Sequence, residues 1–283
     1  MEFLKPDKIL DAYGLKIKQY ILHNHNVNNI PLPSIRTYEL IGNTVHNTAA
    51  INAAKGTTMS EQYTRATVNG NMNTVVPHFY VDDVESWQLL SLKYEGWHAG
   101  SKKNGRAEPD AHGSQLGNKA TIGIEVIGNS EKAQENAARL IAYLMDTYGF
   151  TSEQIYTHNY WVNIRRGAKA KLGEDLRTKP DGYKGCPIYI IPKWNQFITQ
   201  IESFRKSQTQ NAKLFYVQIG AFSSENNAKS FLNEAQKKYP NAFIKKVNNL
   251  FYVQVGAFSS KDNAEKYLDS VKSQYPKAFI KTF

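Results

Sequence analysis

Three residues pair the chemistry of a metal ligand with a strand-end or turn setting: His46 in TVHNT, His158 in IYTHNYW and Cys186 in YKGCP. Cys186 is the only cysteine in the 283 residues, so an internal disulfide is excluded. Buried filler, nucleophile and metal ligand remain open for it. Lys184, Gly185 and Pro187 mark a turn, and a nearby positive charge favours the thiolate. Two imidazoles and a thiolate would give three protein ligands and leave a fourth tetrahedral position open, which is the pattern of a catalytic rather than a structural zinc site. No HExxH pair occurs among the seven histidines, and His23, His25 and His112 are given no role. Spacing alone does not require three residues so far apart in sequence to meet.

The elements that must position them are readable in outline. Strand signals occur at 37–48, 75–83 and 120–128. The stretch from Glu131 to Tyr148 carries apolar residues at helical spacing, with Ser130 suited to cap its start and Gly149 its end. This order predicts an α/β domain with a mixed central sheet flanked by helices, and places a site at strand ends and loops. In TIGIEVIG the period of two sets Ile122, Ile124 and Val126 on one face and Glu125 on the other.

The C-terminus is a repeat. LFYVQIGAFSS at Leu214 returns 36 residues later as LFYVQVGAFSS at Leu250, each copy followed by an apolar helical stripe and a short strand pattern ending in AFIK. Each copy reads as a βαβ unit too small to fold alone. Together they predict a βαββαβ domain over 213–283, with one four-stranded sheet, two helices on one face and the other face open. Residues 203–212 are polar and read as a linker, leaving 1–202 as the catalytic candidate.

The bulk composition, 41% hydrophobic, suits a folded two-domain protein. Neither a signal peptide nor a membrane-spanning run is expected, which suggests synthesis in the cytoplasm. The net charge of +10 implies anionic partners, but no nucleic-acid module is legible, so nucleic acid is not an expected partner.

The motifs VHNT, PHFYVDD, GWHAG, TIGIEV and YKGCP, in this order, resemble those of zinc-dependent N-acetylmuramoyl-L-alanine amidases of the Amidase_2 type. That group includes phage endolysins, autolysins and the related peptidoglycan-recognition proteins. The paired YVQxGAFSS patterns resemble SPOR domains. The first resemblance implies Zn2+ held by His46, His158 and Cys186, with Glu125 as general base toward zinc-activated water and Lys184 as oxyanion stabiliser. It also implies His78, Trp97 and His98 as residues lining the substrate groove, and Asn47 as a contact to the substrate or to the groups behind the metal ligands. The second implies binding of bacterial peptidoglycan, especially glycan strands stripped of peptide stems, through Tyr216, Gln218, Tyr252 and Gln254. The expected activity is cleavage of the amide between N-acetylmuramic acid and L-alanine, leading to wall lysis. A recognition protein without catalysis, or a hydrolase of another wall bond, is the alternative. Two departures stand out. Pro77 occupies the position of a catalytic tyrosine found in some relatives, and 27 residues separate His158 from Cys186 where many relatives have few. The lysines and arginines of that insertion make it either a basic rim over anionic wall polymer or a solvated loop.

Overall fold

The computed structural model describes residues 4–27, 30–100, 102–103, 106–109, 112–113, 115–180, 182, 185–211, 214–258 and 261–283; Lys184 lies outside the described residues. The chain divides into two compact units, residues 1–207 and 208–283. Among the described residues no helix is long and apolar enough to cross a membrane.

The first unit opens with the hairpin β1 (Lys8–Ala12) and β2 (Leu15–Gln19). It continues through β3 (Gly42–Thr48), α1 (Met59–Val68), β4 (Phe79–Val81), β5 (Ser86–Gln88) and the small pair β6 (Lys102–Lys103) and β7 (Arg106–Ala107). It is completed by α2 (Leu116–Ala120), β8 (Thr121–Ile127), α3 (Glu131–Tyr148), β9 (Ile155–Thr157), α4 (His158–Arg165) and α5 (Trp194–Asn211). Seven strands form one mixed sheet in the order β1-β2-β5-β4-β8-β3-β9, with β4, β8, β3 and β9 mutually parallel. β8 is therefore interior, with β3 and β4 as its hydrogen-bonded neighbours.

Alternation along β8 sorts the unit into two cores. Ile122, Ile124 and Val126 join Ala133, Ala137, Leu140, Ile141 and Leu144 of α3 and Trp194, Phe197 and Ile201 of α5 in one cluster. Each such fully buried aliphatic side chain contributes roughly 1.5–3 kcal/mol. The caps of α3 form where the sequence places them: Ser130 accepts from the Ala133 N–H at 3.0 Å, and Gly149 takes the left-handed conformation at φ 74°. On the opposite sheet face Tyr80 and Ile127 pack with Leu22, Val76, Met59 and Tyr63.

The segment read as a linker from residue 203 is helical up to Asn211. The reason is a stripe the polar composition hides: Phe204 extends the spacing of Trp194, Phe197 and Ile201 and packs against the same core. Arg205 adds ion pairs to Asp146 at 2.7 Å and Glu202 at 3.2 Å.

The second unit runs β10 (Phe215–Phe222), α6 (Glu225–Gln236), β11 (Phe243–Val247), β12 (Leu250–Phe258), α7 (Lys261–Lys272) and β13 (Phe279–Lys281). Its antiparallel sheet has the order β11-β12-β10-β13. Val217 and Val255 pack on Ala235, Ala264, Leu268 and Val271 of the two helices, so both helices cover one face.

Candidate active site

The parallel strands β3, β8 and β9 bring their carboxyl ends together, where open α/β sheets gather ligands. His46 lies directly opposite Glu125 in the β3–β8 register. His158 is the first residue of α4 rather than the last of a strand, because the Thr157 side chain accepts from the Tyr160 N–H at 2.9 Å and caps the helix there. Cys186 reaches the same place from the turn after the insertion. The ligand atoms of His46, His158 and Cys186 all lie within 4.8 Å of one another, and all three residues are buried. The Glu125 carboxylate stands 3.8 Å from His46 Nδ1. Because β8 is interior and Glu125 is only 9% exposed, this is no solvated charge on an edge strand.

The groups behind these residues set their orientation. The Gly100 carbonyl is 2.7 Å from His158 Nε2 and can only accept, so that nitrogen carries the proton and Nδ1 keeps its lone pair. The Asn47 N–H donates to Cys186 Sγ at 3.3 Å, a contact that favours a thiolate. The Asn47 side chain accepts from the Tyr189 N–H at 3.0 Å and donates to Val126 O at 3.3 Å, pinning the cysteine turn to the sheet. From the other side the Asn159 N–H donates to Cys186 O at 2.8 Å.

His98 sits behind His46, its Nδ1 2.9 Å from His46 Nε2. Burial, then the neighbouring His78 and His158, push its imidazole well below the ordinary value, so the ring is neutral and can accept one hydrogen bond. Gly123 makes room for it: a Cβ there would meet the His98 ring at 2.3 Å. His98 is thus a neighbour of the ligand shell, with little surface toward a groove.

Two residues expected to line the groove are placed elsewhere. His78 is fully buried. Its Nδ1 accepts from the Gly123 N–H at 3.0 Å, which puts the proton on Nε2, 3.1 Å from Tyr94 O. Burial and the Arg36 guanidinium lower its pKa to about 3. Trp97 pairs its backbone with Val76 and packs against the Leu22 and Tyr80 cluster. Both fix the scaffold behind the site.

The insertion between His158 and Cys186 is also mostly scaffold. Arg165 is buried beside Ala99 O, Arg166 pairs with Glu108 at 3.1 Å, Arg177 with Asp175 at 2.7 Å and Lys179 with Glu174 at 2.9 Å. Much of the charge that suggested a basic rim is engaged within the unit. The loop is held by the Asn159 and Asn163 carboxamides, which donate to the carbonyls of Leu176 and Lys179, and by Thr157, which donates to Arg177 O at 2.6 Å. These asparagines were not singled out from sequence, although their i, i+4 spacing puts them on one helix face. Arg36, which donates to the Lys119 and Tyr94 carbonyls, left no sequence signal.

In the second unit, Tyr216, Gln218, Tyr252 and Gln254 lie on the sheet face away from the helices, yet all four are largely covered. Phe283 packs over both tyrosines, at ring separations of 5.3 Å from Tyr216 and 5.0 Å from Tyr252. Lys245 and Lys281 lie over the tyrosine rings at 4.3 and 4.1 Å.

Comparison with known proteins accounts for both units. Residues 39–174 match the family model described as N-acetylmuramoyl-L-alanine amidase, and residues 211–282 match that of the SPOR domain. The chain is 34% identical over 159 residues to the N-acetylmuramoyl-L-alanine amidase XlyA of Bacillus subtilis, covering 54% of this chain and 41% of that protein. It therefore spans less than half the length of this relative. The solved catalytic domain of XlyA is 29% identical, with a TM-score of 0.45, over 65% of this chain and 98% of that one. The solved peptidoglycan-binding domain of the B. subtilis cell wall lytic enzyme CwlC is 36% identical, with a TM-score of 0.22, over 25% of this chain and 89% of that one. Residues 39–174 are thus similar to the N-acetylmuramoyl-L-alanine amidase family, and residues 211–282 to the SPOR domain family.

Proposed function

We propose that the protein is a zinc-dependent peptidoglycan hydrolase that cleaves the amide between the lactyl group of N-acetylmuramic acid and L-alanine. The observation that carries this reading is the buried convergence of His46, His158 and Cys186 beside Glu125 at the carboxyl ends of parallel strands. Two neutral imidazoles and a thiolate are a donor set that fits Zn2+. Bound there, the ion would supply a Lewis acid for the scissile carbonyl and lower the pKa of water.

The chain's own residues supply the rest. Glu125, facing the ligand cluster from β8, takes a proton from the attacking water, a role worth roughly 10²–10⁴-fold. Lys184 stabilises the developing oxyanion. Asn47, Asn159 and His98 hold Cys186 and His46 in place. Water adds to the carbonyl carbon and the C–N bond breaks, leaving a carboxylate on the lactyl group and an ammonium on alanine. The SPOR unit keeps the enzyme on glycan strands, preferring those already stripped. Tethering then raises the local concentration of the catalytic unit and promotes wall lysis.

Digestion of purified cell wall tests this. New N-terminal alanine amines should appear, vanish on thorough chelation and return with zinc. Solubilised wall without alanine amines would refute the bond assignment, and activity that survives metal removal would refute the metal.

A further inference from the structure

Hydrolysis by the first unit changes the charge of the glycan: each muramoyl amide that is cut becomes a free lactyl carboxylate. Resting on the glycan-binding reading of the SPOR unit, we infer that Lys245 and Lys281 read these carboxylates, so that the second unit recognises the product of the first by its new negative charge.

The sheet face away from the helices is built as a pair of matched sets 36 residues apart. Tyr216, Gln218 and Lys245 of the first repeat correspond to Tyr252, Gln254 and Lys281 of the second. In register, Lys245 lies opposite Tyr252 and Lys281 opposite Tyr216, so both lysines stand on the tyrosine face. Each then reaches across to the other tyrosine. Lys245 Nζ donates to the Tyr216 hydroxyl at 2.6 Å, and Lys281 Nζ lies over the Tyr252 ring. Both ammoniums also face Phe283, at 5.1 and 5.2 Å from its ring centre.

Three features of this face point to an anionic sugar. The first is charge. On the helical side Lys229, Lys237 and Lys261 each pair with a glutamate, at 2.7, 2.7 and 3.0 Å. Among the described residues no side-chain carboxylate lies within ion-pair distance of Lys245 or Lys281, so the two cations share an aromatic floor without an acidic side chain paired to either. The second is apolar surface. Phe283, 42% exposed, offers a ring face of the kind on which the C–H side of a pyranose stacks. The third is polarity beneath that surface. Gln254 is fully buried, and neither its carboxamide oxygen nor its nitrogen has a hydrogen-bond partner; the Gln218 oxygen is in the same position. A partner that drew the covering rings aside would uncover those amides, and the hydroxyl and N-acetyl groups of a sugar could then satisfy them where an apolar partner could not.

Intact glycan carries an uncharged amide where stripped glycan carries a carboxylate, so the lysine pair would discriminate between them by charge. The full chain can be titrated with soluble glycan chains stripped of peptide, and with the same chains after their lactyl carboxylates are capped as methylamides. Wild type should bind the free-acid chains about tenfold more tightly than the capped ones, the gap narrowing with salt. The double variant Lys245→Gln/Lys281→Gln should bind both at the capped level, and Lys245→Arg/Lys281→Arg should keep the preference. An unchanged unfolding transition of the second unit in each variant would establish that the substituted unit is still folded. Equal wild-type affinity for free and capped chains would overturn the inference, as would equally effective competition by polyglutamate. Binding of neither glycan form would instead refute the glycan reading on which it rests.

Discussion

Around His46, His158 and Cys186 the polar groups lean on one another. Gly100 O holds His158, His98 holds His46, and Asn47 and Asn159 hold the cysteine turn from two sides. The second unit's tyrosine face differs: Gln254 is buried without a hydrogen-bond partner, and two lysines meet over aromatic rings with no acidic side chain paired to them among the described residues. The first arrangement preorganises a small volume for chemistry. The second leaves interactions to be completed by whatever lands on it. Around the first site most buried polar groups are tied to one another, though Asn43 and the Asn159 oxygen are not, whereas on the second face Gln254 has no hydrogen-bond partner at either end of its carboxamide.

The largest effect that would sharpen this contrast is expected from Cys186→Ser. Metal analysis should find zinc near stoichiometric in wild type and lost in the variant. Alanine release should be gone, while pelleting with stripped sacculi is unchanged. Pelleting lost together with zinc would break the division between the units. Next, Glu125→Gln should reduce alanine release by roughly 10²–10⁴-fold while zinc content stays constant. A variant that loses its zinc would make Glu125 part of the ligand shell. His98→Ala removes the group behind a ligand and should weaken zinc affinity by about 10–100-fold, read by competition with a chromogenic chelator.

Smaller effects probe stability. Gln254→Leu removes an unmet buried amide, so the unfolding midpoint of the second unit should rise, by about 1–2 kcal/mol in free energy, while stripped-glycan binding weakens. A variant both less stable and weaker in binding would mean that the amide is satisfied in the free protein. The smallest effect concerns pH. His78 is held neutral, with its pKa lowered to about 3, whereas an unfolded histidine titrates near 6.5. Between those values the unfolded chain takes up a proton that the folded chain refuses, so its contribution is complete above about 6.5 and is lost as pH falls. At pH 5.5 the loss is about 1 kcal/mol. Urea midpoints at pH 7.5 and 5.5 should therefore fall less in His78→Gln than in wild type, and equal falls would contradict the burial argument.

Local chemistry was legible and long-range burial was not. Ser130, the apolar stripe of α3 and Gly149 announce their helix because caps and periodicity act within a few residues. Glu125 could be assigned to its face by alternation alone. The meeting of His46 with His158 and Cys186 rested on family resemblance, because strand order in a mixed sheet is not written in any local stretch. For the same reason His78 and Trp97 looked like groove residues. What hides His78 is Arg36, Tyr94 and Gly123, up to 45 residues away in sequence. The helical continuation of residues 203–211 went unread because one aromatic, Phe204, sits in an otherwise polar run.

The 36-residue repeat gives the SPOR face an approximate two-fold axis. Exchanging β10 with β12 and β11 with β13 turns the sheet order into its own reverse. A glycan strand has direction, with chemically distinct ends. A surface that nearly superposes on itself after half a turn offers Tyr216 and Lys281 to one polarity of the strand as it offers Tyr252 and Lys245 to the other. Under the proposed function such a tether would have little preference for direction, and one bound strand would leave uncut stems within reach both ahead of the enzyme and behind it.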